Sequence, residues 1–389
     1  MRVLHTVSGI WKSTGGPAEV IPMLCQHLCH LGDTVSIATL DGDLSDAALS
    51  AERRGVAVHR FKSTIKRRPW YSRSMHRGLG DLIQKSDIVH GNGMWEYTNW
   101  HTARETHRWN KPYVVSFHGS IMHTSNNWGL RHQLVWSLLD GRYVRRAQCL
   151  HACTTAELSC IREAGLKNPV AVVPNGIELW PTVPADEIAV VLPEFTGMKT
   201  VLFLSRIHPS KGVFELVRAW SAIGEPITDW QLVIAGPGFT EHIAQLKSSI
   251  KGSARPASIR YIGPLYGKRR IAAFQACNLF VCPSKTENFG VVVGEALASG
   301  KPVIATRQVP WPELVSHKCG WLIPDSVDGI AKSLVETMQL SDEERIDMGE
   351  RGRHLIMAKY TWPKVADMMH GTYEWILGGG FAPVWVHTV

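Results

Sequence analysis

Between two apolar runs the chain reads Lys285-Thr286-Glu287-Asn288-Phe289-Gly290-Val291-Val292-Val293-Gly294-Glu295. The apolar runs at 279–283 and 302–305 have the length and composition of buried strands. The order strand, loop, helix, turn, strand places Glu287 in the loop and Glu295 on the helix. Ligands of open α/β sheets bind at that strand end, and the first N–H groups of a helix suit a phosphate. The spacing therefore predicts a nucleotide-diphosphate site with two acids that hold hydroxyl groups.

The same alternation of strands and helices runs along most of the chain, and it predicts an α/β fold. Three prolines and a glycine between Pro174 and Pro184 mark a domain junction. We expect two Rossmann-like, doubly wound parallel-sheet domains that face each other across a cleft. Their predicted ranges are 1–180, with a C-terminal helix of 361–389 crossing back onto it, and 181–360. Predicted strands are 3–7, 35–40, 56–61, 88–90, 113–117, 150–153, 200–204, 230–235, 259–262, 279–283, 302–305 and 320–323; predicted helices are 18–31, 133–146, 212–222, 240–249, 268–277, 291–298 and 329–338.

The composition is that of an ordinary globular protein, with 389 residues, 44% hydrophobic and 20% charged. There is no apolar run long enough for a membrane span, and the start reads as a β-strand rather than a signal peptide. The eight cysteines form no C-x-x-C pair and are interpreted as reduced thiols. We therefore expect a cytoplasmic protein, with the inner face of the plasma membrane as a place where it could act.

The net charge of +8 is concentrated in one segment. Nine basic residues and no acidic residue lie between Arg53 and Gly80, and the centre of this segment carries Trp70 and Tyr71. Basic residues beside aromatic ones suit an anionic membrane surface or an acidic acceptor, whereas a solvated loop and helix face is the alternative. The prediction is peripheral contact with an anionic membrane through Arg53–Arg77. No nucleic-acid partner is expected, because no recognition motif accompanies the charge.

Three further pieces of sequence follow predicted strands. Gly15 and Gly16 lie between the first strand and its helix, where glycines let a phosphate or sugar approach the backbone. Arg206 and Lys211 follow the first strand of the second half and could neutralise a diphosphate. His118 ends a strand of the first half, a position typical of functional residues. A simple turn, exposed loop cations and a structural histidine are the respective alternatives.

In combination, these residues resemble the retaining glycosyltransferases of family four, which have the two-domain GT-B fold. Glu287 and Glu295 match the Glu-x7-Glu hallmark of that family, and residues 173–177 resemble its junction motif. Arg206 with Lys211 resembles its diphosphate-binding pair. The resemblance spans nearly the whole chain. It implies a hexosyltransferase that moves a sugar from a nucleotide-diphosphate donor to a hydroxyl of a glycan or lipid-linked glycan, with retention, in polysaccharide or glycolipid biosynthesis.

The resemblance also implies roles for individual residues. Glu295 would bind the ribose, Glu287 the donor sugar, and residues 288–291 would offer backbone N–H groups to phosphate and sugar. Gly236 and Leu265 lie where such proteins hold the base. Neither a metal nor a cofactor is expected beside the nucleotide sugar. The chain departs from the family at 309–313, where a Gly-Gly pair often precedes a glutamate. The implied catalytic residues are Glu287, His118, Arg206 and Lys211; the implied donor-binding residues are Gly15, Gly16, Arg206, Lys211, Gly236, Leu265, Asn288, Phe289, Gly290, Val291 and Glu295.

Other classes of function remain open at this point. Asp41-Gly42-Asp43 resembles the metal-binding Asp-x-Asp of a single-domain, metal-dependent glycosyltransferase, although two βα halves argue against that fold. A sugar-nucleotide epimerase or hydrolase, or a non-catalytic glycan-binding partner subunit, could use the same scaffold. A dehydrogenase is disfavoured, because no G-x-G-x-x-G follows a strand at either domain start. Five tryptophans are candidates for stacking on acceptor sugars: Trp11, Trp70, Trp95, Trp100 and Trp128. Burial in the core is the alternative and the commoner role of a tryptophan.

Overall fold

The computed structural model describes residues 1–12, 14–65, 70–122, 135–223 and 229–388. The chain divides into two compact units. The first unit contains Met1–Gly176 and Trp362–Val389, and the second contains Ile177–Thr361. Each unit is built around its own twisted sheet, so the two are described separately.

The first unit contains an eight-stranded sheet. The last strand of the chain, Val386–His387, pairs antiparallel with its neighbour, and the other pairs are parallel. The spatial order is the last strand, then β7, β6, β5, β4, β1, β2 and β3. These strands are β1 (Arg2–Thr6), β2 (Thr34–Leu40), β3 (Ala57–Phe61), β4 (Ile88–Asn92), β5 (Tyr113–Ser116), β6 (Cys149–Ala152) and β7 (Val170–Val172).

Helices connect these strands and bury their apolar faces against the sheet. Ser45, Ser72 and Thr154 cap three of the helices by accepting a backbone N–H with their side-chain oxygen. A π-helical turn at Trp136–Asp140 precedes the fifth helix. The helices are α1 (Gly16–His30), α2 (Asp46–Arg53), α3 (Arg73–Lys85), α4 (Tyr97–Arg108), α5 (Gly141–Arg145), α6 (Thr155–Glu163) and the C-terminal helix Trp362–Gly378.

The second unit contains a six-stranded sheet in which all pairs are parallel. Its order is β10, β9, β8, β11, β12, β13. The strands are β8 (Lys199–Leu204), β9 (Trp230–Ala235), β10 (Ile259–Tyr261), β11 (Leu279–Cys282), β12 (Val303–Thr306) and β13 (Gly320–Ile323). The helices are α7 (Ala185–Val191), α8 (Val213–Ala222), α9 (Thr240–Lys251), α10 (Gly267–Ala276), α11 (Val291–Ala298), α12 (Glu313–Ser316), α13 (Val327–Met338) and α14 (Asp342–Lys359).

Both sheets reverse their strand order at one point. In the first unit the reversal lies between β1 and β4, and in the second unit it lies between β8 and β11. Connections that leave these neighbouring strands diverge, which opens a crevice at the carboxyl ends of the strands, where ligands of such sheets bind. A ligand site is therefore expected at the loops after β1, β4, β8 and β11.

The predicted fold class is confirmed, since both units are doubly wound parallel sheets. Each predicted strand coincides with an observed one to within two residues. β7, the last strand and the helices α6, α7, α12 and α14 were not predicted, whereas α2, α3 and α4 lie between predicted strands, where helices were expected without stated bounds. The predicted helix 133–146 begins at two residues outside the described part of the chain. The cysteines are free thiols, and no helix among the described residues is long and apolar enough to cross a bilayer.

Candidate functional site

The loops after β8 and β11 bring two of the predicted residues together. Nζ of Lys211 lies 2.5 Å from Oε2 of Glu287. The loops can approach this closely because Gly212 has a φ of 70°, and a Cβ there would lie 1.9 Å from the carbonyl oxygen of Pro283. The backbone N–H of Lys285 also donates to Ser210 O, at 2.9 Å. The ammonium and the carboxylate are thus held at the reversal point of the second sheet.

Arg206 lies in the same loop after β8 and is exposed. Its neighbours are fixed, because the N–H of Ile207 donates to Pro237 O at 2.7 Å. Gly236 supports this arrangement, since a Cβ there would lie 1.8 Å from Ser205 O. Within the described ranges, no carboxylate forms an ion pair with Arg206. The loop is therefore held in place while the guanidinium stays available for an anion.

The start of α11 offers unpaired backbone donors beside this loop. Gly290 caps the helix with a φ of 77°. The N–H groups of Asn288, Phe289 and Gly290 donate to no acceptor in the described part of the chain. Oδ1 of Asn288 is buried and likewise has no partner there. Unpaired N–H groups at a helix N-terminus carry partial positive charge, so this turn is suited to an anionic ligand.

The loop at 309–313 supports that turn. Trp311 is 1% exposed, and its Nε1–H donates to Phe289 O at 2.6 Å. Its ring also packs against Phe289 and Tyr360, with centroids at 5.3 and 4.9 Å. The departure from the family pattern at 309–313 thus places an indole behind the turn. The sequence feature that could have indicated this role is the run Val-Pro-Trp-Pro-Glu after a predicted strand.

Glu295 is engaged by a residue that the sequence reasoning did not select. Nη2 of Arg270 lies 2.8 and 2.6 Å from the two oxygens of Glu295. The carboxylate is 8% exposed, and an ionised carboxylate can still accept further hydrogen bonds from hydroxyl groups. The structure does not bring Glu295 into an ion pair with Lys211. The sequence feature that could have pointed to Arg270 is the basic run 268–270, which closely follows Leu265.

The loops after β9 and β10 hold the two residues implied to contact the base. The N–H of Gly236 donates to Gly263 O at 2.9 Å, which joins these loops. Leu265 follows in the second loop and is 5% exposed. The role of both residues in base binding stays a prediction.

In the first unit, the predicted glycines lie where α1 begins. Gly15 precedes the helix with a φ of 85°, and the helix starts at Gly16. The place of a missing Cβ is open at both residues, with no atom within 4 Å. A left-handed conformation explains the glycine at 15, while the open space at both positions leaves room for a ligand.

His118 follows β5 and has a φ of 49°, an uncommon backbone conformation for a residue with a side chain. Its Nε2 lies 2.9 Å from Oδ1 of Asn92, at the end of β4. Burial, with smaller contributions from nearby His151 and His5, lowers the pKa of His118 to about 3. His118 also lines a pocket, together with Asn92 and Asn175. It is therefore a neutral side chain at a pocket wall.

Glu157 on α6 holds the loop of His118 in place, and the sequence reasoning missed it. One carboxylate oxygen accepts the N–H of Gly119 and the other accepts the N–H of Cys153, both at 2.8 Å. Burial raises the pKa of the carboxyl group, and these two N–H donors partly offset that effect. The carboxylate therefore ties the end of β5 to the end of β6.

Glu157→Gln should lower the free energy of unfolding by about 1–3 kcal/mol. The amide keeps one acceptor oxygen but turns its NH₂ group toward the second backbone N–H, so that a buried donor loses its partner. Urea unfolding measures this loss. Glu163→Gln is a matched control, because Glu163 is exposed on the same helix, and it should change stability by less than about 0.5 kcal/mol. Equal stabilities of the two variants would contradict the role given to Glu157.

Asp41-Gly42-Asp43 has a structural explanation. A Cβ on Gly42 would lie 2.3 Å from Nε1 of Trp11, whose indole packs on this turn. Trp11 donates to Leu40 O at 3.2 Å, and Asp43 forms an ion pair with Lys12 at 3.6 Å. Among the residues that the structure describes, there is no group of three or more metal-ligating side chains.

The remaining aromatic candidates lie in the first unit. Trp11 and Trp70 contact edge to face, with centroids 5.6 Å apart. Nε1–H of Trp100 donates to Asp140, which also accepts the backbone N–H of Trp95. All four are partly buried, and Trp128 lies outside the described residues. Their contact with an acceptor stays a prediction.

Comparison with known proteins places both units in one family. The family model described as "Glycosyl transferase 4-like domain" matches residues 15–176, and the one described as "Glycosyl transferases group 1" matches residues 185–355. A GDP-mannose-dependent alpha-mannosyltransferase of Mycolicibacterium smegmatis is 34% identical over 97% of this chain and 98% of its own length. A GDP-mannose:cellobiosyl-diphosphopolyprenol alpha-mannosyltransferase of Xanthomonas oryzae pv. oryzae is 24% identical, with the same coverage of both chains.

Solved structures share the fold. A glycosyltransferase from Rickettsia africae superposes with a TM-score of 0.79 at 16% identity, over 97% of this chain and 99% of that one. A sucrose-phosphate synthase from Thermosynechococcus elongatus gives 0.76 at 17% identity, over 97% and 100%. At these identities the likeness shows the fold alone. Together with the matched family models and the relative at 34% identity over the full length, it leads to one conclusion: the chain belongs to the family-four glycosyltransferases of the GT-B fold.

Proposed function

We propose that this glycosyltransferase moves mannose from GDP-mannose to a hydroxyl of a lipid-linked glycan, with retention of anomeric configuration. The observation that carries the proposal is the arrangement at the reversal point of the second sheet. There, Arg206, Lys211 and the unpaired N–H groups before α11 lie on loops that leave β8 and β11. Such a set of donors suits the diphosphate of a nucleotide sugar.

The relatives support the choice of donor and acceptor. Two of them match over almost their full length, and both carry GDP-mannose in their names. One of these names also includes a diphosphopolyprenol-linked disaccharide, and that of a third relative, from Mycobacterium leprae, includes phosphatidyl-myo-inositol. A lipid-linked acceptor is therefore the class that we propose for this chain.

In the proposed reaction, the bond between the anomeric carbon and the diphosphate oxygen breaks while negative charge builds on the leaving phosphate. Arg206 and the N–H groups of residues 288–290 stabilise that charge, because they are already oriented before the reaction begins. Glu287 holds the ammonium of Lys211 in place and accepts hydroxyl groups of the donor sugar. The acceptor hydroxyl attacks from the face that the phosphate leaves, and the phosphate takes its proton. Glu287 acts by positioning and charge rather than by covalent attack.

The test uses the purified full-length chain and a set of nucleotide sugars. GDP-mannose, GDP-glucose, UDP-glucose and UDP-galactose are each incubated with a polyprenyl-diphosphate disaccharide and, separately, with phosphatidylinositol in detergent. We expect GDP release only with GDP-mannose and a lipid-linked acceptor, and a product heavier by one hexose. The one-bond C–H coupling at the new linkage should report the α configuration. Preference for a UDP sugar, or an inverted linkage, would contradict the proposal.

Two of the other classes give different results in the same assay. A hydrolase or epimerase consumes the donor equally well without an acceptor, whereas a non-catalytic partner subunit binds the donor and releases no GDP. Activity that is unchanged by a strong chelator supports a reaction without a metal. Loss of activity on chelation would instead revive the metal-dependent alternative.

Membrane contact through Arg53–Arg77 also stays a proposal. Lys66–Pro69 lie outside the described residues, and Arg60 already pairs with Glu52 at 2.6 Å. Arg73 and Arg77 are exposed on α3. If they contact a bilayer, Arg73→Glu with Arg77→Glu should reduce flotation with vesicles that contain anionic lipid, and salt should reduce flotation of the native chain. Equal flotation of the native and doubly substituted chains would refute this contact.

A further inference from the structure

The side-chain amide of Asn92 has only one orientation that satisfies its surroundings. Its Nδ2 lies 3.3 Å from the carbonyl oxygen of Thr6 and 3.1 Å from that of His90. Carbonyl oxygens only accept hydrogen bonds, so the NH₂ group of Asn92 must face them. Its Oδ1 then faces Nε2 of His118, at 2.9 Å. Since Oδ1 also only accepts, Nε2 of His118 carries a proton, and in the neutral ring Nδ1 then keeps a lone pair.

A second series of hydrogen bonds joins buried side chains beside the pocket, and its donor-to-acceptor direction is also fixed. Val173 O accepts from Nε2–H of His151 at 2.8 Å, so Nδ1 of His151 accepts from the hydroxyl of Ser116 at 2.5 Å. That hydroxyl oxygen accepts from Nε2–H of His90 at 2.5 Å. Nδ1 of His90 in turn accepts from the hydroxyl of Tyr373, on the C-terminal helix, at 2.6 Å. Each imidazole in this series is satisfied as a neutral tautomer.

His5 connects the two sets of hydrogen bonds. Its Nε2 lies 3.4 Å from the hydroxyl oxygen of Tyr373, and its Nδ1 lies 3.4 Å from Nδ2 of Asn92. Donation from Nε2–H of His5 to Tyr373 leaves Nδ1 free to accept from Asn92. The direction from donor to acceptor is therefore the same at every step from His118 to Val173. Backbone carbonyls, which only accept, fix this direction near both ends.

The groups that surround His118 do not favour its protonation. From β1, β4 and β6 it faces His5, His90 and His151, and burial lowers the pKa of each of them. From α6, the carboxylate of Glu157 is directed to the backbone N–H groups of Gly119 and Cys153. No carboxylate forms an ion pair with His118 in the described part of the chain. A neutral ring is thus the stable state of this side chain.

We propose that Asn92 is a positioning residue, which keeps His118 neutral with its proton on Nε2, so that Nδ1 accepts a hydrogen bond from a sugar hydroxyl. The choice of a sugar hydroxyl as the ligand rests on the proposed glycosyl transfer, whereas the assignment of the tautomer does not. His118 lines the pocket and is partly exposed, and Nδ1 has no partner within the described residues. In this scheme His118 receives a substrate hydroxyl and donates no proton to the reaction.

The first test is independent of activity. Nitrogen-15 NMR of histidine-labelled native protein distinguishes the two neutral tautomers and the imidazolium, and the signal that His118→Gln removes belongs to His118. We expect the neutral form with a proton on Nε2 from pH 6 to pH 8. A proton on Nδ1, or an imidazolium signal in this range, would overturn the proposal even if Asn92→Asp does not fold.

The second test is Asn92→Asp, which has nearly the same shape. A carboxylate beside His118 raises the pKa of the ring, and the protonated ring has a hydrogen on Nδ1 that prevents acceptance. We expect kcat to fall on the order of tenfold below the raised pKa and to recover as pH rises through it, while the native enzyme, whose His118 has a pKa of about 3, shows no such step. An unchanged pH profile of kcat in a folded variant would refute the role of Asn92.

Asn168→Asp is the matched control. Nδ2 of Asn168 donates to three backbone carbonyls in the same unit, so this change removes similar hydrogen bonds, none of which involves a histidine of the chain. It should lower thermal stability without a new step in the pH profile. The same new step in both variants would show a general loss of structure and overturn the proposal. If the NMR result holds while no nucleotide sugar is turned over, the proposed function fails and the inference about Asn92 stands.

Discussion

Arg206→Ala should lower kcat by on the order of a hundredfold and leave the fold intact. The side chain is exposed and pairs with no carboxylate in the described part of the chain, so its removal breaks no interaction that supports the loop. What is lost is a planar cation beside the proposed site of the leaving diphosphate. Because charge on that group grows during bond breaking, the loss affects the transition state more than the bound donor. Steady-state release of GDP at saturating acceptor measures the change.

Two variants sharpen this prediction. Arg206→Lys keeps the charge but not the planar pair of donors, so its kcat should fall between those of the native and alanine enzymes. Arg218→Ala is the control, because Arg218 is an exposed arginine of the same unit that pairs with Glu215 on α8. It should retain native kcat. A near-native rate for Arg206→Ala would remove Arg206 from the catalytic set.

The strand pattern was predictable because parallel strands are buried on both faces and read as continuous apolar runs. The run Leu279–Cys282 is an example, with every residue buried. The bounds of helices such as α3 and α4 were not predicted, because their sequences carry many polar residues and their ends depend on caps such as Ser72. The last strand has two residues and exists only through its pairing with β7, which no local pattern reveals.

The proximity of two candidate site residues could be predicted from the ends of the strands that they follow. Lys211 and Glu287 are 76 positions apart, yet both follow strands that become neighbours, so strand ends were sufficient to propose them. Glu157, Arg270 and Trp311 were missed because their roles depend on contacts. A buried carboxylate that accepts two backbone N–H groups looks like any helical glutamate in sequence. The tautomer of His118 likewise depends on which carbonyls surround Asn92.

The two glutamates of the Glu-x7-Glu motif should fail in different ways when each is replaced by glutamine. Glu287→Gln should lower kcat on the order of a hundredfold with little change in the KM of the donor. Its carboxylate holds Lys211 at 2.5 Å, and a neutral amide holds an ammonium more weakly, so the cation beside the leaving group loses its fixed position. Single-turnover rates at saturating donor isolate this step from binding.

Glu295→Gln should instead raise the KM of the donor by about tenfold and change kcat little. The carboxylate is nearly buried and shared with Arg270. It lies on α11, about one helix turn beyond the N–H groups proposed to face the diphosphate, so in the proposed complex it contacts a part of the donor that does not react. Glu215→Gln is the control, because Glu215 is similarly buried and pairs with Lys285, two residues before Glu287. If Glu287→Gln and Glu295→Gln change kcat and KM alike, the motif acts as one unit and its division between sugar and nucleotide is wrong.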